Sequence, residues 1–167
     1  MDFKIIKPEE IRDNVFKMTH SDWMLITAGT KDLFNTMTAS WGGFGTLWHK
    51  SVCTIYVRPT RYTYEFLEKS DNFTLSFFDD KFRDALNFCG SNSGRDVDKI
   101  SQTGLTPVES NDGSIIFNEA RLAIECRKVY YEDFNPGNFI DVDIEKNYPK
   151  KDYHRVYVGE ILSCYAK

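Results

Sequence analysis

The sequence lacks any apolar run near the length that crosses a lipid bilayer. A spanning helix needs about 20 consecutive apolar residues, whereas charged or polar residues interrupt every apolar stretch of this 167-residue chain. Its first segment, MDFKIIKPEEIRDN, is also too charged to resemble the apolar part of a secretory signal. We therefore expect a protein that acts in the cytoplasm and has no membrane partner.

Several motifs of common enzyme classes are missing as well. The sequence contains no GxxxxGK[S/T] loop, no GxGxxG turn and no GxSxG elbow. This disfavours P-loop enzymes, Rossmann dehydrogenases and α/β-hydrolases. Cys53, Cys89, Cys126 and Cys164 form no CxxC pair, so no zinc site, iron–sulfur cluster or other metal site is predicted, and the thiols are expected to be reduced and mostly buried.

Positive charge is in slight deficit. The chain has 21 Lys and Arg residues against 25 Asp and Glu residues, for a net charge of -4. Such a balance gives no general attraction for nucleic acid or anionic lipid, although local basic spots can still bind a small anion. Length and composition predict one domain over residues 1–167.

Strand patterns dominate what is present. A few helices are predicted. One follows Pro8, one lies in TRYTYEFLEKS with Thr60 or Thr63 as its cap, one ends near Cys89, and one ends at Gly104. β-branched and aromatic residues, arranged in consecutive groups, predict the strands. These are DWMLITAG, part of FNTMTASWGG, SVCTIYVRP, NFTLSFF, SIIFNEARLAIECRKVYYEDF, NFIDVDIEK and HRVYVGEILSCYA. The fold class is therefore mainly antiparallel β, closed or sandwich-like, with a few flanking helices.

The run FNTMTASWGGFG combines small side chains with two aromatic groups. A strand edge built from residues 36–40 lets a flat ligand lie against the backbone, because no large side chain blocks the approach. Trp41 would then pack on or beside the plane of that ligand. Close packing between strands explains the same small residues without any ligand, and the sequence leaves both interpretations open.

Two segments offer contacts for an anion. VRPTRYTYEF places two arginines and a hydroxyl at a helix start, which suits a phosphate. CGSNSGRDVDK predicts a nest of backbone N–H groups at residues 91–94 before a helix start near Arg95. A solvated turn and a plain helix-capping loop are the alternatives. Cys89 as a nucleophile would need a histidine base, and the local sequence places none beside it.

Four blocks in order carry a resemblance to a known family. They are NTMTASWGG, YVRPTRYTYEFLEKSDNFTLSFF, CGSNSGRDVDKISQTGLTP and DYHRVYVGEI. Together, from about Trp23 to Ile161, they resemble the flavin reductase-like family of FMN-binding split barrels, in particular its flavoredoxin branch. The resemblance implies a mostly antiparallel, Greek-key-like split β-barrel that forms a homodimer and holds FMN noncovalently near the interface.

The resemblance also implies roles for individual residues. The segment matching the ring-lining motif of the family is Asn35, Thr36, Met37, Thr38, Ala39, Ser40 and Trp41. The residues matching the contacts to the ribityl phosphate and ring edge are Arg58, Thr60, Arg61, Ser93 and Lys99. His154 matches a histidine beside the flavin, and it is the predicted catalytic group, with a pKa that ordinarily lies near physiological pH.

The function implied is an oxidoreductase that moves electrons from NAD(P)H onto FMN and then to a flavin, protein or small-molecule acceptor. Two alternatives stay open: a flavoredoxin-type electron carrier between protein partners, and a flavin- or haem-binding module without turnover. A pyridoxamine-phosphate oxidase relative would share the barrel and the phosphate contacts, so the fold alone does not decide between these functions.

Overall fold

Eight strands of the computed structural model, which describes residues 2–167, join into one antiparallel sheet. Their bounds are β1 Lys4–Ile6, β2 Met24–Gly29, β3 Phe34–Ala39, β4 Gly42–Leu47, β5 Lys50–Val57, β6 Asn72–Phe77, β9 Leu122–Asp133 and β10 Arg155–Ala166. A separate antiparallel pair is formed by β7 Pro107–Glu109 and β8 Ile115–Phe117. The mainly antiparallel β class predicted from the sequence is confirmed.

The sheet rolls up without closing. Its strand order is β3-β2-β6-β9-β10-β5-β4, with β1 added on β10. The edge strands β3 and β4 do not pair, yet only Ser40 and Trp41 connect them. Two residues span too little distance to bridge a flat seven-strand sheet, so the two edges lie close together and leave a split barrel.

Short helices pack against the sheet or against one another. They are α1 Val15–Lys17, α2 Tyr62–Lys69, α3 Arg83–Ser91 and α4 Lys99–Thr103. One π-helical turn covers Met18–Asp22, and 3-10 turns cover Pro8–Glu10, Asp80–Phe82, Pro136–Asn138 and Val142–Asn147. No helix of residues 2–167 is both long enough and apolar enough to cross a bilayer.

Two apolar clusters hold the layers together. The barrel interior buries Ile26, Leu75, Ile124 and other side chains from the inner face of the strands. A second cluster, which includes Leu86, packs α3 and the β7–β8 pair onto the outer face. Burial on both faces explains why β2 reads as a continuous apolar run rather than an alternating one.

Gly159 permits a close approach in the barrel interior. A Cβ at this position would lie 2.6 Å from the Phe73 ring and 2.9 Å from the Cβ of Cys126.

Cys53 and Cys126 approach with their Sγ atoms 3.4 Å apart. All four cysteines are free and buried, as the sequence predicted.

Two predicted elements differ in the structure. The helix expected after Pro8 is interrupted, because Ile11 takes an extended conformation and Asn14 starts a new helix by accepting a hydrogen bond from the Lys17 N–H at 3.1 Å. The strand expected in NFIDVDIEK is wrong: this segment forms 3-10 turns, with Asp141 accepting from the Asp143 N–H. Ile140 is 99% exposed there, so this apolar side chain is not packed against a neighbouring strand that would stabilise an extended conformation.

The hairpin of β4 and β5 was not predicted. Glycines in GGFGTL weaken the strand pattern, and the two turn residues, Trp48 and His49, have φ values of 51° and 58°. A turn with two positive φ values is the favoured two-residue hairpin connection, but its usual sequence is Asn-Gly. Residues 48 and 49 therefore carry no sequence signal for the turn they form.

Two predicted helix starts are also wrong. Arg61, and neither Thr60 nor Thr63, occupies the position before α2, and the Arg61 side chain makes no capping hydrogen bond. Residues 94–96 form a turn, and α4 begins at Lys99 because Asp98 accepts hydrogen bonds from Ile100 N and Ser101 N. Gly104 ends this helix with a φ of 68°, as expected.

Candidate functional site

The end of β3 borders a cleft of about 220 Å³, termed here the Trp41 cleft. Its lining residues are Met37, Thr38, Ala39, Ser40, Trp41, Tyr56, Arg58, Arg61 and His154. The small residues at positions 38–40 are half-buried, which brings backbone groups to the surface of the cleft. Trp41 is 46% exposed and closes one side with its indole ring.

A second cleft of about 160 Å³, the Lys99 cleft, adjoins the first. It is lined by Asn35, Met37, Thr60, Arg61, Tyr62, Thr63, Gly90, Ser91, Asn92, Ser93 and Lys99. Met37 and Arg61 line both clefts, so the two spaces meet at these residues. The combined shape has an aromatic end at Trp41 and a polar, cationic end at Lys99.

Arg61 stands at the boundary between the two clefts. Its Nη1 donates a hydrogen bond to the Gly90 carbonyl at 3.0 Å, which ties the residue before α2 to the end of α3. Burial lowers the pKa of the guanidinium, which nonetheless stays charged at physiological pH. The remaining N–H donors of this fork are available to a ligand.

Asn35 connects β3 to the first turn of α2. With its amide oxygen toward Thr63, it accepts hydrogen bonds from the Thr63 hydroxyl at 2.7 Å and the Thr63 N–H at 3.2 Å. The amide is buried, and the chain passes so near that a Cβ at Gly94 would lie 2.0 Å from its terminal atom. Glycine at position 94 thus lets the 91–98 loop close over the Asn35 amide.

Lys99 is a buried cation at the wall of its cleft. Its Nζ donates to the carbonyls of Thr36 and Cys89, both at 2.8 Å. Burial lowers the pKa of Lys99 to about 8, partly offset by Cys89. An ammonium has three N–H donors, so one remains for a ligand while the group is protonated.

His154 lies between Trp41 and Tyr148. Its ring centroid is 5.2 Å from that of Trp41, and its Nδ1 is 2.8 Å from the Tyr148 hydroxyl. Burial lowers the pKa of His154 to about 4, helped by the positive charge of Arg58. The imidazole is therefore neutral at physiological pH, which favours a hydrogen-bonding role over the proton-donating role expected from an ordinary histidine pKa.

Arg58 makes its contacts with the segment that precedes His154. Its Nη1 donates to Asp152 at 2.8 Å and its Nη2 to the Asn147 carbonyl at 2.8 Å. The guanidinium also lies 4.9 Å from the centre of the Tyr148 ring. Because Asp152 neutralises it and the Lys99 cleft does not include it, Arg58 is less suited to bind an anion than Arg61 is.

Of the site residues that the resemblance implied, all but Thr36 line one or both of the two clefts. The Thr36 hydroxyl bonds Thr27 Oγ1 at 2.9 Å and Ile26 O at 3.2 Å, facing β2 instead of either cleft. Its carbonyl reaches the site indirectly, as the acceptor for Lys99. Lys99 lies in the polar cleft with Ser93 and does not line the Trp41 cleft.

Sequence reasoning missed Tyr56, Tyr62 and Gly90. Strand alternation could have indicated Tyr56, because it lies two residues before Arg58 and therefore on the same face. Gly90 carried no such signal: a Cβ there would lie 3.3 Å from the Thr38 side chain, a contact between α3 and β3 that only the fold reveals. Its carbonyl is the acceptor that holds Arg61.

Comparisons with known proteins agree with this architecture. A family model described as "Flavin reductase like domain" matches residues 17–167. No curated protein matches the sequence.

Solved structures match over most of the chain. A flavoredoxin from Methanosarcina acetivorans is 22% identical, with a TM-score of 0.71 over 97% of this chain and 76% of its own. An FMN-binding protein from Thermus thermophilus is 19% identical, with a TM-score of 0.70 over 97% and 82%. The NADH:FAD oxidoreductase SgcE6 of Streptomyces globisporus is 16% identical, with a TM-score of 0.66 over 86% and 73%. These likenesses establish the split-barrel fold.

Proposed function

This chain belongs to the flavin reductase-like family, and from that premise we propose that it is an oxidoreductase that binds FMN noncovalently. Electrons would come from NAD(P)H and pass to a flavin, a protein or a small-molecule acceptor. The observation that carries this proposal is the pair of adjoining clefts, aromatic at one end and cationic at the other. FMN matches this arrangement, because its planar ring lies at one end and its anionic phosphate at the other.

The residues present suit each part of FMN. The isoalloxazine would lie in the Trp41 cleft, against the backbone of residues 38–40, with Tyr56 and His154 as the other ring-facing side chains. The phosphate would lie in the Lys99 cleft, where Arg61 and Ser93 offer donors. Gly94 keeps the loop beside this cleft close to Asn35, because any side chain there would meet the amide.

When bound, FMN supplies the two-electron chemistry, and the protein supplies orientation and charge. Arg61 and Lys99 hold positive charge near the proposed phosphate position. Two unit charges about 4 Å apart at an effective dielectric constant near 20 attract by about 4 kcal/mol before desolvation costs. Because the pKa of Lys99 is about 8, its contribution is present at neutral pH and is lost as the pH rises through that value.

The structural likenesses bear on the electron donor. The likeness to SgcE6, an NADH:FAD oxidoreductase, favours a nicotinamide donor. The likeness to flavoredoxins favours the second candidate, an electron carrier between protein partners. A module that binds a flavin or haem without turnover is the third interpretation, and it predicts a coloured protein that exchanges no electrons.

A homodimer in the cytoplasm completes the proposal. Trp48, Tyr130 and Tyr131 are large exposed aromatic residues, 55%, 43% and 57% accessible, and a second copy of the chain would cover such apolar surface. The free, buried cysteines favour a reducing compartment. A single domain over residues 1–167 also stays a prediction.

Anaerobic stopped-flow absorbance separates the candidate functions. The FMN-loaded protein is mixed with NADH or with NADPH, and the loss of the flavin absorbance is followed. Rapid bleaching by at least one nucleotide is the result expected of the reductase. The carrier function predicts a different result: slow bleaching by both nucleotides, but rapid reduction by dithionite and rapid reoxidation by an electron-transfer protein. This result would contradict the reductase function.

A further inference from the structure

The segment 147–154 ends at His154, which lines the Trp41 cleft, and several contacts hold this segment in place. Arg58 binds Asn147 and Asp152, and its guanidinium lies over Tyr148. The Tyr148 ring is also stacked on Phe139, with centroids 6.0 Å apart and planes inclined by 15°. Tyr148 is buried, and its hydroxyl reaches His154.

The hydrogen bond between Tyr148 and His154 can run in two directions. If His154 Nδ1–H donated, the buried hydroxyl of Tyr148 would need an acceptor for its own proton, and within residues 2–167 its one hydrogen-bond partner is His154. An unsatisfied buried donor costs about 1–3 kcal/mol. If the hydroxyl donates to an unprotonated Nδ1, both groups are satisfied.

The second direction fixes the proton of the neutral imidazole on Nε2. Among residues 2–167, no group forms a hydrogen bond with Nε2, and His154 lines the Trp41 cleft. The tautomer of a histidine is set by the bond its other nitrogen makes. A ligand in the cleft would therefore meet an N–H donor beside Trp41.

We propose that Tyr148 is a positioning residue that holds His154 as the Nε2–H tautomer, so that His154 presents a neutral hydrogen-bond donor to a carbonyl oxygen of a planar ligand in the Trp41 cleft. Arg58 anchors the segment that carries both residues. The neutral state agrees with the lowered pKa of His154. Identifying the ligand rests on the proposed function; the tautomer itself does not.

Nitrogen NMR on flavin-free protein tests this directly, because protonated and unprotonated imidazole nitrogens resonate far apart. The chain has three histidines, and the signals that disappear in His154→Asn identify His154. The wild type at neutral pH should show protonated Nε2 and unprotonated, hydrogen-bonded Nδ1. A proton on Nδ1, or a charged ring, in the wild type would overturn the proposal without any further variant.

Tyr148→Phe removes the hydroxyl and keeps the ring against Phe139 and Arg58. The His154 Nδ1 signal should then shift toward that of a free pyridine-type nitrogen. Tyr153→Phe is the matched control, because Tyr153 lies on the same segment and its hydroxyl bonds Glu145, at 2.6 Å, instead of His154. This variant should leave the His154 signals in place. Identical His154 signals in wild type and Tyr148→Phe would overturn the proposal. Failure to bind FMN would count against the proposed function alone.

Discussion

Asn35 on β3 binds Thr63 on α2 through its amide oxygen, which accepts from the hydroxyl at 2.7 Å and from the backbone N–H at 3.2 Å. This bond joins the strand that lines both clefts to the helix start that carries Arg61. It also satisfies one of the free N–H groups of the first helical turn. The geometry of the proposed phosphate end thus depends on an amide that Gly94 closely covers.

Gly94→Ala should weaken FMN binding at least about tenfold, which is about 1.4 kcal/mol. The new Cβ would lie 2.0 Å from the Asn35 amide and 3.2 Å from the Tyr62 ring. Since the amide is bound to Thr63, either that bond breaks or the 91–98 loop moves away. Gly45→Ala is the control, because nothing lies within 4 Å of a Cβ there. Quenching of flavin fluorescence measures both, and equal dissociation constants would contradict the packing argument.

Arg61→Ala should lower FMN affinity about 10- to 100-fold, the loss expected of a charge-assisted hydrogen bond worth about 1.5–3 kcal/mol. Riboflavin, which has no phosphate, should lose much less. Arg127→Ala removes a charge that pairs with Glu160 outside both clefts, and it should change neither affinity. Calorimetric titration with both ligands checks the prediction. An equal loss of affinity for FMN and riboflavin would show that Arg61 does not contact the phosphate.

Acid pH should destabilise the protein through His154. Its pKa is lowered from 6.5 to about 4 in the folded state, so between these values the unfolded chain binds more protons, and stability rises with pH. The full cost, about 3 kcal/mol, is present below pH 4 and is lost as the pH rises to 6.5.

Urea unfolding of the wild type and His154→Asn between pH 4 and 7 measures this slope. The variant should show a flatter dependence of the unfolding free energy on pH over that window. Parallel curves for the two proteins would show that the histidine is as easily protonated in the folded state as in the unfolded chain.

The turn of the β4–β5 hairpin should gain stability from glycine. His49 has a φ of 58°, and glycine adopts this conformation without the steric cost that other residues bear. His49→Gly should raise the free energy of unfolding by about 0.5–1 kcal/mol. Thr46→Gly, within β4, should lower it, because glycine weakens a strand interior. The denaturant midpoints of the wild type and both variants measure these changes. A loss of stability in His49→Gly would contradict the turn geometry.

Much of this fold could be predicted from local patterns. The β-branched runs and the terminating Gly29, Pro59 and Gly104 indicated most strands and the end of α4, since these signals act within a few residues. The segment around Val142 shows the limit: its alternation resembles a strand, yet no strand lies beside it, and Asp141 forms a local turn. Pairing partners are decided by the tertiary fold.

The residues that line the two clefts could be predicted better than the directions of their side chains. Residues near Trp41, Arg61 and Lys99 were brought together by motif resemblance, and the structure does place them along two adjoining clefts. The direction of a side chain is a property of the fold. Thr36 faces β2, and Arg58 is neutralised by Asp152, a partner 94 positions away that no local pattern indicates.

Isothermal titration of FMN into flavin-free wild-type protein measures whether the two adjoining clefts bind this flavin. We expect saturable heat release, with FMN bound more tightly than riboflavin because the phosphate reaches the cationic end of the site. No heat, or equal affinity for the two flavins, would contradict the assignment of the two clefts to ring and phosphate.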